Sequence, residues 1–381
     1  MRVFLLYALI WLIPLNSSYW FLSDFNVGLS ELASMYLLGF VFISFFSSVL
    51  MSIIFFKKPS LKKIIDKFDE NRSIDFQSKI VALWFMIFLA EIIYSGGVPA
   101  FWGSQRGYAE FGIPMIHGFS NMIRGLIFSN LVLFFVFKFN IPRYLLVLSF
   151  LTLLSSLILE QSRGAFILTL AFGLGPIVLF LKLSLKKFMQ GLIILSVLIP
   201  TFSIFQFIRY ADAPISEIVV IADLARSNDE AYKYLLEPIF NYIATPVLNA
   251  GLNIDIAPLY NFSPKNTFQP LIPSTFRTYL FTNNEADYGE LINESFNTTT
   301  FVTPFVQDFG LIGGFLFISA FIFFTHYVYA KARHGSLWHI IAFSALIMCL
   351  VLSIFSSYLT SLVTIVYLIL TGISSRRMMR L

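Results

Sequence analysis

Long apolar runs dominate the chain, and short polar clusters separate them. Ten runs of about 17–25 residues are each long enough, at 1.5 Å per residue, to cross a hydrocarbon core about 30 Å thick. They predict spanning helices over about 3–22, 29–56, 79–95, 116–137, 144–160, 164–182, 188–208, 309–330, 337–354 and 357–374. The first run follows Met1-Arg2, as a signal peptide would, but no small-residue cleavage pattern comes after it. Trp20 at its far end suits an interfacial anchor, so the run is expected to remain as a span.

Between the runs, the sign of the charge alternates from one connection to the next. With both termini in the cytoplasm, the inner side carries Arg2, Lys57, Lys58, Lys62, Lys63, Lys67, Arg72, Lys79, Lys138, Arg143, Lys182, Lys186, Lys187, Lys331, Arg333, Arg376, Arg377 and Arg380. The outer side keeps Arg106, Arg124, Arg163, Arg209, Arg226, Lys233, Lys265 and Arg277. Of the acidic residues only Asp66, Asp69, Glu70 and Asp75 fall inside. Every inner connection is therefore basic, as the positive-inside rule requires. The Lys-rich 57–72 stretch reads as a topology determinant on a solvated loop or as a lipid-binding amphipathic helix, and the first reading is sufficient.

Composition narrows the class. Of the 381 residues, 57% are apolar and 12% charged, with a mean hydropathy of +0.79; soluble proteins run at about 45–50% and about 25%. An ordinary soluble enzyme is excluded, and the expected fold is an all-α polytopic integral membrane protein. Topology accounts for the +5 net charge, so no nucleic-acid partner is needed. The single Cys349 permits neither a disulfide framework nor a thiolate metal site. The chain lacks G-x-x-x-x-G-K-[ST] and H-E-x-x-H motifs, which argues against an ATP-driven machine and a zinc protease. D-x-D is missing too, the nearest pattern being Glu285-Ala286-Asp287, which disfavours a divalent-metal nucleotide-sugar enzyme.

Three regions follow: 1–208 with seven spans and short loops, 209–304 as one large outer loop, and 305–381 with three spans. Within the loop, 217–237 reads as helical, and Pro258, Pro264, Pro270 and Pro273 mark irregular structure. A loop of this length is usually functional.

Ionisable groups at membrane depth are expensive and therefore candidates for function. Glu91 closes the third span, Arg124 sits early in the fourth, and Glu160-Gln161-Ser162-Arg163-Gly164 is the one polar interruption between 144 and 181. Arg209-Tyr210 ends the seventh span, Asp308 opens the eighth, and Arg106 and Arg277 lie in outer loops. Together they predict a charged site at the outer face. Arg offers a planar fork that holds its charge at low dielectric, so the site reads as one for a diphosphate or anionic sugar. The competing reading is local pairing of each Arg with a nearby acid, or snorkelling to the interface. Asp308 suits the positive end of a helix dipole and equally a general base. His117 is an interfacial hydrogen-bonding residue or a base, whereas His326, His334 and His339 form no ligand constellation.

Five short words, in this order, carry a resemblance: Gly96-Gly97-Val98-Pro99, Arg106-Gly107-Tyr108, Gly112-Ile113-Pro114-Met115-Ile116-His117-Gly118, Ser162-Arg163-Gly164-Ala165 and Asp308-Phe309-Gly310. With about ten spans and one big outer loop, the chain resembles bacterial O-antigen polymerases, the Wzy-type oligosaccharide repeat-unit polymerases. The resemblance implies a GT-C-like architecture in the inner membrane and a metal-independent, inverting glycosyltransfer at the periplasmic face, without a cofactor. Donor and acceptor would both be undecaprenyl-diphosphate-linked oligosaccharides, and a partner protein would set chain length. In that reading Arg163, Arg209, Arg277, Arg124, Arg106 and Tyr210 bind the diphosphate and sugars. Asp308, Glu160 and His117 are the candidate bases. The related O-antigen ligases use a His in the large outer loop, and 209–304 contains none.

Two further classes compete. A flippase or exporter of lipid-linked sugars would place charge near the bilayer midplane and commonly show internal repeats, which this chain lacks. A ligase would want that His in the outer loop, and an acyltransferase acting on sugars would want a His or Arg dyad on the cytoplasmic half, which the inner connections do not clearly offer.

Overall fold

A computed structural model describes residues 2–18, 28–55, 61–102, 110–181, 231–280, 289–292 and 298–379. In chain order its helices are α1 (Arg2–Ser17), α2 (Glu31–Ile54), α3 (Leu61–Ile65), α4 (Glu70–Ser95), α5 (Ile116–Phe137), α6 (Arg143–Ile158) and α7 (Arg163–Phe180). They continue as α8 (Ala231–Ile256), α9 (Lys265–Phe268), α10 (Ser274–Leu280), α11 (Val302–Arg333), α12 (Leu337–Val351) and α13 (Leu362–Met378). Among the described residues the one extended pairing is an isolated bridge between Phe68 and Met379.

Among the described residues, five segments are long and apolar enough to cross a membrane: α2, the segment from α4 to Phe101, α5, α11, and α12 with the 3-10 turn that follows it. The chain is thus a helical membrane protein. Its outward faces agree, since Phe42, Phe46, Ile53, Met86, Ile93, Leu316 and Ile369 are all exposed. Nothing in water would reward that exposure, whereas lipid does. The expected spans 3–22, 144–160, 164–182 and 357–374 correspond to the shorter helices α1, α6, α7 and α13. The expected 188–208 span lies outside the described residues, as does most of the 217–237 stretch.

Helix starts are chemically marked. Ser30, Asp69, Ser162 and Ser361 each accept from a backbone N–H of the first turn of the helix they precede. Packing then runs from neighbour to neighbour: α1 on α2, α2 on α11, α11 on α12, α12 on α7, α7 on α5, and α5 on α4, α6 and α13. Small residues let these helices approach closely; a Cβ added at Gly125 would stand 2.4 Å from the Phe172 ring. Within the 209–304 segment, α8 packs against α1, α2 and α11, burying Ala244, Val247, Leu248, Asn249, Asn253 and Ile254.

Helix α11 is broken. Gly310 has φ 69° and ψ −177°, so its backbone leaves the helical path between Phe309 and Leu311. The irregular segment after α8 fills the gap. Pro258 O accepts from Leu311 N at 2.9 Å, Leu259 O accepts from Ile312 N at 3.2 Å, and Ser263 N donates to Asp308 O at 2.8 Å. At the opposite end of the bundle, Arg2 Nη1 donates to Val178 O at 3.0 Å and Arg333 Nη1 to Leu179 O at 2.5 Å. These guanidiniums satisfy the last carbonyls of α7, where the helix dipole favours positive charge.

Candidate functional site

Helices α4 and α5 run side by side in opposite directions, and their polar residues meet in rungs. Trp84 and Glu91 on α4 are separated by the same seven-residue interval as His117 and Arg124 on α5. Two helical turns bring residues seven apart back to one face, so the antiparallel register pairs Glu91 with His117 and Trp84 with Arg124. A third rung, Gln77, donates from Nε2 to Ile127 O at 3.0 Å and to Ser149 Oγ at 3.2 Å. Gln77, Trp84, Glu91 and Arg124 are all fully buried.

The upper rung joins an imidazole to a carboxylate. His117 Nδ1 lies 3.0 Å from Glu91 Oε1; the Glu91 side chain is 0% exposed and that of His117 28%. A ring engaged through Nδ1 turns its other nitrogen away from the carboxylate. The imidazole is seated tightly: Phe111 meets it edge-on with centroids 5.6 Å apart. A Cβ at Gly112 (φ 99°) would stand 2.6 Å from the imidazole. Gly112 N donates to Ser95 Oγ at 2.9 Å, which ties this cradle to the end of α4.

The lower rung is a buried ion pair. Arg124 Nη2 donates to Glu160 Oε1, Nη1 donates to Glu160 Oε2 at 3.2 Å and to Asn121 Oδ1 at 2.9 Å. The guanidinium carbon lies 5.1 Å from the centroid of the Trp84 ring, a cation–π contact. Glu160 stands in the turn from α6 to α7, where Gln161 adopts φ 51° and Ser162 caps α7. That turn is also held from above, because Ala100 N donates to Leu159 O at 3.0 Å. The pair thereby fixes the turn that begins α7 at Arg163. Buried polar atoms at the α4–α5 seam without a hydrogen-bond partner among the described residues include Gln77 Oε1, Trp84 Nε1, Glu91 Oε2, Ser120 Oγ and Arg124 Nε. Buried polar atoms are rarely left so, and here they mark a polar interior between apolar helices.

Asp308 belongs to a different group. It lies inside the first part of α11, six residues after the helix begins, and not at the start of the helix as the hydropathy pattern predicts. Its carboxylate accepts from Asn266 N at 3.2 Å and Thr267 N at 2.5 Å, the free amides at the start of α9. Arg277 serves the same segment, donating from Nε to Ile272 O at 2.7 Å and from Nη2 to Pro270 O at 3.4 Å. Asp308→Ala would leave those two amides without their acceptor and is expected to lower stability by about 2 kcal/mol. Limited proteolysis in micelles should then cut 258–280 sooner than in the parent chain.

Arg124 and Glu160 are thus brought together, His117 meets Glu91 two turns of α5 away, and Asp308 and Arg277 are on separate supports. Arg106, Arg209 and Tyr210 lie outside the described residues, and Arg163 is placed by its backbone at the first position of α7. Sequence reasoning marked Glu91 as a buried charge without giving it a role, and passed over Asn121 and Trp84. The equal seven-residue intervals on α4 and α5 were the available signal. In comparisons with known proteins, no family model, no curated protein and no solved structure matches the chain.

Proposed function

We propose that the chain is a ten-span inner-membrane glycosyltransferase that polymerises undecaprenyl-diphosphate-linked oligosaccharide repeat units. Its termini lie in the cytoplasm, and the 209–304 segment forms a loop in the periplasm. The observation that carries this reading is the two ionisable pairs where α4, α5 and the α6–α7 turn meet: the buried Arg124–Glu160 ion pair, and half-buried His117 on fully buried Glu91. Anchoring alone needs no such cluster, and its desolvation is costly.

In this reading His117 is the base and Glu91 orients it, as carboxylates orient imidazoles in other proton-transferring sites. Glu160 and Asp308 are less suited, since Arg124 holds one and backbone amides hold the other. An acceptor hydroxyl attacks the anomeric carbon of the growing chain and yields its proton to His117. The anomeric C–O bond breaks, and its electron pair leaves with the lipid diphosphate. Arg163 and Arg209, with Arg106 and Arg277 in the flanking loops, supply the positive charge that a metal-free leaving group requires, and the Tyr210 hydroxyl adds a hydrogen bond. The Arg124–Glu160 pair positions Arg163 by holding the turn before it. Partners are the two lipid-linked substrates, the bilayer and a protein that sets chain length.

One observation favours a second reading. Arg124 lies eight residues into α5, about 12 Å along its axis, and a charge pair this deep also suits a flippase or exporter of lipid-linked sugars. A surface-polysaccharide gel from a host deleted for this gene separates the two. Polymerase loss collapses the ladder to core plus one repeat unit, whereas flippase or ligase loss removes that unit as well. Arg163→Ala is expected to give the same collapse with normal amounts of inserted protein, and Arg163→Lys to fail too if bidentate geometry matters. Wild-type chain lengths in Arg163→Ala would remove Arg163 from the mechanism.

A further inference from the structure

The first turns of α4 and the last turns of α13 form a groove of about 780 Å³ at the end of the bundle far from the Glu91–His117 rung. On α4 it is lined by Arg72, Asp75, Phe76 and Lys79, and on α13 by Ile373, Arg376 and Arg377. These are the i, i+3, i+4 and i+7 positions of one α4 face and the i, i+3 and i+4 positions of one α13 face, so two stripes oppose one another. The helices are clasped at the groove's head, where Asp69 N donates to Met378 O at 2.9 Å and Phe68 bridges Met379. The walls are therefore fixed relative to each other.

Charge in the groove is unbalanced. Its one acid, Asp75, is engaged by Lys79 at 2.7 Å. Arg72 has a loose contact with Asp69 at 3.8 Å and reaches Met379 O at 3.5 Å. Arg376 and Arg377 have no acidic partner among the described residues, and both are exposed. Beside the cations the lining turns apolar: Phe76 is half-buried, Ile373 exposed, and Ile369, one turn further along α13, exposed as well. A cationic head next to an open apolar track matches a phosphate that carries an acyl chain.

We propose that this groove is a binding site for an anionic phospholipid. The phosphate sits among Arg72, Arg376 and Arg377, and one chain lies along Phe76, Ile373 and Ile369. The open apolar side is what favours a lipid over free phosphate, since an inorganic ion would leave that track uncovered.

The test is native mass spectrometry of the full-length chain, released from micelles holding equal amounts of dioleoyl-phosphatidylglycerol and dioleoyl-phosphatidylcholine. The chain is expected to retain phosphatidylglycerol preferentially. Arg376→Gln with Arg377→Gln should weaken that retention roughly thirtyfold. Arg72→Gln with Lys79→Gln, on the facing helix, gives the same readout if the first variant does not fold. Equal retention of the two lipids by the parent chain overturns the proposal whatever the variants do. Undiminished phosphatidylglycerol retention in a folded variant overturns it as well. Displacement of the lipid by millimolar phosphate at constant ionic strength would reassign the groove to a free anion.

Discussion

Arg124→Met and Glu160→Leu are each expected to lower stability by about 3–5 kcal/mol, and the two changes together by much less. Each single change strands a charge in a site where both side chains are at most 2% exposed. Removing both leaves apolar groups of similar length between Trp84 and the α6–α7 turn, and dispersion then replaces the ion pair. Unfolding in mixed micelles, read as a double-mutant cycle, measures this coupling directly. Additive losses would show that the pair contributes nothing beyond its separate contacts. The same cycle bears on mechanism: if the double variant is stable yet Arg163-dependent activity is lost, the turn needs the ion pair for its geometry.

Gly310→Val should be nearly as damaging. The residue combines positive φ with extended ψ, a region that only glycine populates freely, at about 3 kcal/mol for other residues. Space is lacking too, because a Cβ there would stand 2.7 Å from Pro258 O and 2.9 Å from Asn261 N. Pro258 O, and Leu259 O at 2.9 Å from that Cβ, are the carbonyls that close the break in α11, so displacing them uncouples the 258–263 segment from the membrane helix. The check is hydrogen exchange on the full-length chain. Faster exchange at Leu311 and Ile312 is expected, with α2 and α5 unchanged; uniform protection would sink the account.

Where the sequence was legible, one hydropathic slab coincided with one helix. The 116–137 prediction matches α5 (Ile116–Phe137) because a proline precedes it and polar Lys138 and Asn140 follow. Other boundaries slipped for a physical reason. The prediction of 79–95 starts nine residues late, since the first turns of α4 are polar and hydropathy detects the hydrocarbon slab and not the helix. The prediction of 309–330 starts late for the same reason: Thr303, Gln307 and Asp308 are helical but polar. Helix α8, with Pro238 and Pro246 inside it, is buried on every side from Ala244 to Gly251, yet prolines and asparagines interrupt its hydropathy and it read mostly as loop.

The candidate site was half legible. That Glu91, Arg124 and Glu160 are charges at membrane depth follows from their places in apolar runs, and so does the importance of the Glu160–Gly164 interruption. Which charge meets which does not follow. Arg124 and Glu160 are 36 residues apart on helices whose relative rotation depends on packing, and Asp308 meets a helix that begins 43 positions before it. Glu91–His117 is different, because the hairpin from α4 to α5 fixes the register and equal spacing on both arms gives it away.

In the proposed ten-span arrangement, the brevity of α6 sets the local thickness of the membrane. Its 16 residues rise about 24 Å, several ångströms short of a typical hydrocarbon core. Arg143 and Tyr144 anchor one end to a headgroup layer, and Val147, Leu151, Leu154 and Ile158 face outward along its length. The deficit therefore falls at the Glu160 end, and lipids on that flank relieve the mismatch by shortening or disordering their chains. In that arrangement the headgroup plane dips toward the Glu160 turn. A bilayer of shorter-chain lipids should relieve the strain, so stability is expected to peak in thinner membranes than the long helices α2 and α11 alone would select.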